Sequence, residues 1–195
     1  VSLVTVTALD FRARLLGGLT EALREHPYAE VTVADVVRCA KTSKRTFYEH
    51  FADKDECLVA LLTRSNIELR EAIAEAVDPQ AAWRTQIRQG VRALLAQVHD
   101  QPHLFLNGFR SVHALDQGRQ LIRDGMATFV DLLRTLGDTP ELQRAGVAAP
   151  TRELAIMVFG GVRELIADAL EEGRDPADLL EPVTDALTAL LGPRA

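Results

Sequence analysis

Ser43-Lys44-Arg45-Thr46-Phe47-Tyr48-Glu49-His50-Phe51, followed by Asp53-Lys54, sets the terms for the whole chain. Two basic side chains, a threonine, a tyrosine and a histidine fall within little more than two helical turns. The aromatics needed to pin a helix are interleaved among them. The chain has only three lysines, Lys41, Lys44 and Lys54, and all lie in or beside this run. A chain of net charge −6 that gathers every lysine in one short segment aims that segment at an anion, with DNA phosphate the expected one.

The charge around this segment is uneven. Residues 1–64 carry nine basic and nine acidic side chains, while the rest carries 13 arginines against 19 acids. Within residues 38–54 five basic residues face two acidic ones, Glu49 and Asp53. One small basic face on an acidic body is expected, with the body kept off DNA by its own charge.

At 195 residues the chain can bury a full core. Nearly half of it is hydrophobic and a quarter charged, as in water-soluble globular proteins, and Ala, Leu and Arg favour helix. Cys39 and Cys57 are too few for a disulfide framework, so a reduced, cytoplasmic setting is expected. Val1 to Leu9 is apolar but lacks a basic lead and is too short to span a bilayer, and no membrane partner is expected. Enzymatic function finds no support: no Gly-rich phosphate loop, no H-E-x-x-H and no C-x-x-C occurs. Neither a cofactor nor a metal is expected; His99 and His103 are four apart, but Pro102 separates them.

The periodicity predicts an all-α chain of about nine helices. Phe11, Leu15, Leu19, Ala22 and Leu23 mark a first helix that ends near His26-Pro27. Thr32 reads as the N-cap of a short second helix, with Asp35 completing a loose capping box, and Ser43 as the N-cap of a third. Asp53 caps a fourth helix that stops near Asp78-Pro79. Beyond it come a helix from Trp83 to Val98, a short apolar one over 104–112, and a longer one over 121–136. A loop is expected from Gly137 to Pro150, and two last helices near 151–172 and 176–191. Pro182 predicts a kink or a restart in the last.

Two short helices joined by a tight turn and laid on a longer one describe a helix-turn-helix unit. The third helix would enter the major groove. Arg45 suits bidentate bonding to guanine, Lys44 a base or phosphate, and Thr46, Tyr48 and His50 phosphate oxygens. Lys54, a cation at a helix N-terminus, makes sense if a phosphate lies in front of it.

At these residues the chain resembles the tetracycline-repressor (TetR) family of one-component transcriptional regulators. That family's pattern runs roughly T-h-x-x-I-A-x-x-A-G-V-S-x-G-T-h-Y-x-Y/H-F-x-S/D-K-x-x-L. Thr32, Val33, Val36, Ala40, Ser43, Thr46, Phe47, Tyr48, His50, Phe51, Asp53, Lys54 and Leu58 supply it in order. The resemblance covers about residues 10–62. Two departures stand out: Lys41 replaces the turn glycine, and Arg45 a second glycine. A basic N-terminal arm is absent, leaving Arg12 and Arg14 for that part.

The resemblance implies an N-terminal three-helix helix-turn-helix DNA-binding domain over residues 1–56. A helical effector-binding and dimerisation domain would occupy 57–195. It implies a ligand-released repressor on a palindromic double-stranded DNA operator. The DNA contacts would be Thr32, Thr42, Ser43, Lys44, Arg45, Thr46, Tyr48, His50 and Lys54. A homodimer would form through the last two helices, one of which is apolar around most of its circumference, from Leu154 to Ile166. A small-molecule effector would sit among Trp83, Ile87, Phe105, Phe109, Met126, Phe129 and Phe159. His103, Asn107, Arg110 and His113 would offer polar contacts. The competing reading is a helical sensor or interaction protein without DNA binding.

Overall fold

The computed structural model describes residues 3–112, 115, 117–137, 146, 147 and 150–192. Among them every regular element is helical. In chain order these are α1 (Leu3–Glu25), α2 (Val33–Cys39), α3 (Lys44–His50), α4 (Lys54–Ala76) and α5 (Trp83–Asp100). A π-helical stretch, Leu104–Gly108, runs into the short α6 (Phe109–Ser111), followed by α7 (Gly118–Gly137) and α8 (Arg152–Glu171). A 3₁₀ turn, Pro176–Leu179, leads into α9 (Leu180–Leu191). Of the expected loop over 137–150, Gly137 closes α7, and the rest lies outside the described residues except at 146, 147 and 150, as does His113.

The sequence signals act where they stand. The α2 capping box forms in full: the Asp35 amide donates to Thr32 Oγ1, and the Thr32 amide donates to the Asp35 carboxylate at 3.0 Å. Thr151 caps α8 through the Leu154 amide. Asp175 caps the 3₁₀ turn through the Ala177 amide. Pro182 does not kink a long helix. The chain restarts at Leu180, which puts Pro182 in a first turn where its missing N–H has no partner to lose.

The chain divides into two compact units. The first comprises residues 1–65 and 103–122, more chain than the 1–56 segment read from the sequence, because the π-helical stretch and α6 join it. Its core gathers Leu15, Leu16, Leu19 and Leu23 of α1, Val36 of α2, Phe47 of α3, and Leu58, Leu61 and Leu62 of α4 with Leu104 and Val112. Gly18 lets α1 and α2 touch: a Cβ there would lie 2.5 Å from the Val36 carbonyl oxygen and 2.7 Å from the Ala40 Cβ. Asn107 donates to the Leu23 carbonyl at 3.2 Å and ties the π-helical stretch to the last turns of α1.

The second unit comprises residues 66–102 and 123–195. Val91, Leu95 and Val98 of α5, Val158 and Ile166 of α8, and Leu179 and Val183 are buried in it. Arg84 pairs with Asp185 and Arg88 with Glu181, joining α5 to α9 along an exposed edge. Among the described residues no helix is long and apolar enough to cross a membrane.

Candidate nucleic-acid interface

The site is the turn between α2 and α3 together with the outer edge of α3. The turn has the hydrogen bonds of a Schellman motif: the Thr42 amide reaches the Val37 carbonyl at 3.0 Å and the Lys41 amide the Arg38 carbonyl at 3.2 Å. Such a motif needs a left-handed residue, and Lys41 is it, with φ of 51°. A lysine thus holds a left-handed conformation that its Cβ disfavours, at the position where the family pattern has glycine. Arg14 offsets it. Its guanidinium donates to the Ala40 carbonyl at 2.9 Å and the Lys41 carbonyl at 2.6 Å, satisfying acceptors that the end of α2 leaves open. Arg14 is thus a clamp on the turn, and Arg12 lies 5.1 Å over the Phe51 ring.

α3 starts at Ser43, whose hydroxyl accepts from the Thr46 amide at 3.1 Å and shares a hydrogen bond with the Thr46 hydroxyl at 2.9 Å. Phe47 is fully buried, edge-on to Tyr48 and tilted against Phe51, so one face of the helix is fixed in the core. The opposite face is open. The Arg45 side chain is 89% exposed and Tyr48 is 59% exposed; Lys44, Ser43, Thr32 and Glu49 are also exposed. Thr42, Thr46 and His50 are half-buried on its flanks. The first turn of α3 holds two cations and no acid, against the preference of the helix dipole.

Lys54 stands differently from the rest. Its ammonium donates to the Tyr28 carbonyl at 3.0 Å and the Val31 carbonyl at 2.8 Å, and lies 4.4 Å over the Tyr28 ring. The Tyr28 hydroxyl donates to the Asp55 carboxylate. Burial, then the Asp55 carboxylate, push the Tyr28 phenol well above its usual range. Lys54 therefore braces the loop before α2 against the start of α4, a job that local sequence does not signal. Asp53 caps α4 as expected, accepting from the Glu56 amide at 2.8 Å.

The effector candidates are split between the units. His103, Phe105, Asn107, Phe109 and Arg110 belong to the first; Trp83, Ile87, Met126, Phe129 and Phe159 belong to the second. In the second unit the five are half-buried, and Phe129 and Phe159 meet at 5.2 Å between ring centroids. In the first, His103 and Arg110 are exposed, Phe105 and Asn107 are half-buried, and the Phe109 side chain lies outside the described residues. Sequence reading passes over Tyr28, and it marks Arg14 only as a stand-in for a basic arm and Glu49 only as an acid within the basic segment.

Residues 15–61 match the family model of bacterial regulatory proteins of the tetR family. The matched residues run from α1 into α4 and take in the whole of α2, the turn and α3. The chain is 30% identical over 81 residues to the uncharacterized HTH-type transcriptional regulator YxbF of Bacillus subtilis. That match spans 41% of this chain and 21% of YxbF. Solved structures share the fold. The transcriptional regulator FadR of Bacillus subtilis, in complex with stearoyl-CoA, aligns with a TM-score of 0.76 at 16% identity, covering 94% of this chain and 99% of FadR. The regulatory protein TetR of Rhodobacter sphaeroides aligns with a TM-score of 0.72 at 23% identity, covering 91% and 97%.

Proposed function

We propose that this chain is a TetR-family transcriptional regulator: a cytoplasmic, ligand-released repressor that binds a palindromic operator as a homodimer. The observation that carries the DNA reading is the α3 edge. Phe47 anchors the helix from within, while Lys44, Arg45 and Tyr48 stand in solvent on the other side. Arg45 and Lys44 face base edges, and Thr32, Thr42, Ser43, Thr46, Tyr48 and His50 hold phosphates. Lys54 holds the scaffold from beneath, with two of its donors already engaged.

One recognition helix alone binds weakly, and two-fold pairing on half-sites about 34–36 Å apart is the usual remedy. The support for pairing lies on α8. Met157, Gly161 and Leu165 recur every fourth residue on its exposed side, and Met157 is 67% exposed. A Cβ at Gly160 or Gly161 would meet no described atom within 4 Å, so those glycines leave room for the helix of a second copy. Leu190 of α9 is exposed as well.

The half-buried Trp83, Ile87, Met126, Phe129 and Phe159 favour an apolar effector. FadR of like fold holds stearoyl-CoA, which makes a long-chain acyl-CoA the first probe. Binding to duplexes from the chain's own upstream region, measured with and without that probe, tests the proposal. Retention of the duplex and its release by ligand are the expected results; no retention would refute the DNA reading.

A further inference from the structure

The recognition helix carries an acid that helix formation does not call for. Within residues 38–54 the two acids are Glu49 and Asp53, and Asp53 is explained as the cap of α4. Glu49 sits on the exposed edge of α3, where a negative charge opposes the approach of phosphate. Its partner is Arg45: the Arg45 Nε donates to Glu49 Oε1 at 3.0 Å. As a helix stabiliser this pair is the wrong way round. The favourable order at i,i+4 places the acid nearer the N-terminus, and here the cation lies in the first turn and the acid in the last. The pair is also exposed, where ion pairs contribute little to stability.

What the pair does is geometric. A guanidinium offers five N–H donors in a planar fork. With Nε engaged by Glu49 Oε1, the terminal Nη1 and Nη2 edge remains for an outside acceptor on a side chain that is 89% exposed. That edge matches the paired N7 and O6 acceptors of guanine in the major groove. We infer that Glu49 is a positioning residue that holds Arg45 as the guanine reader of each half-site. This inference rests on the α3 edge being the DNA-binding surface.

Selection of the full chain against duplexes randomised over both half-sites tests it. The wild-type chain is expected to retain guanine at one position of each half-site by about ten-fold or more over other bases. Arg45→Ala should flatten that position alone. Glu49→Gln, whose amide oxygen still accepts from Nε, should keep the preference. Glu49→Ala should reduce it several-fold while binding to an unselected duplex rises, because one negative charge near the phosphates is gone. A merely structural role would instead lower binding to every duplex, and that outcome overturns the inference. So does an unchanged guanine preference in Glu49→Ala, which leaves the DNA surface intact. Loss in Glu49→Ala of a cytosine preference elsewhere, with guanine retained, also overturns it and makes Glu49 itself the reader. A wild-type chain that retains no duplex at all overturns the DNA surface and the inference together. Matching circular dichroism spectra establish that each variant is folded.

Discussion

Lys41 holds a left-handed backbone geometry that a residue with a Cβ disfavours. Its left-handed φ costs roughly 1–2 kcal/mol for a residue with a Cβ. Lys41→Gly removes that cost but adds about 0.5–1 kcal/mol of backbone entropy to be lost on folding. The net expectation is a gain of about 0.5–1 kcal/mol in urea unfolding. Arg14→Ala should cost about 1.5–3 kcal/mol, because two carbonyls at the end of α2 lose a charged donor. The cysteines separate on the same scale. Burial pushes the Cys57 thiol up to about 12, whereas Cys39 is half-buried and raised less strongly. Alkylation at pH 8 should label Cys39 first and Cys57 only when the protein is unfolded, read by mass spectrometry. Equal labelling of both in the native protein would contradict the burial of Cys57. Lys41's strain was legible in the sequence, since a glycine position held a lysine. The Arg14 clamp was not, because its acceptors lie 26 and 27 residues away.

At the scale of elements the caps carry most of what the sequence made readable. Thr32 with Asp35, Ser43 with Thr46, and Asp53 with Glu56 are contacts within three residues, so spacing alone exposes them. Lys54 was read for its position at a helix start, but its partners come from the loop 23 and 26 residues earlier, which periodicity does not register. The π-helical stretch at Leu104–Gly108 likewise answers to packing around Gly108, Leu58 and Leu62 rather than to a local signal. Two carboxylates make the α1–α2 region sensitive to acid. Hydrogen bonding and charge from Arg38 hold Glu25 below its usual value, and hydrogen bonds from Thr32 hold Asp35 below its own. A depressed carboxyl contributes stability above the ordinary carboxylate range and loses it as pH falls through the lowered value. Thermal midpoints should therefore fall with acidification below about pH 4, and Asp35→Asn should blunt that fall. At neutral pH, Thr32→Ala should cost about 1 kcal/mol through loss of the cap.

For the whole molecule, the proposed function requires a body that pairs with a copy of itself and a single edge that meets DNA. Pairing is tested on α8: Met157→Asp combined with Leu165→Asp should give a folded monomer in sedimentation equilibrium. Duplex affinity should fall by two orders of magnitude or more as the second half-site contact is lost. A double variant that stays dimeric would place the interface elsewhere. The acidic balance, −6 overall, then serves to confine the attraction to the one basic edge. The most direct measurement is the salt dependence of duplex binding by the wild-type chain and by Lys44→Ala. A steep linear fall of log affinity with log salt is predicted, with the slope shallower by about one in the variant. Affinity that ignores salt, or a slope that Lys44→Ala leaves untouched, would contradict the claim that α3 presents its charged edge to a duplex.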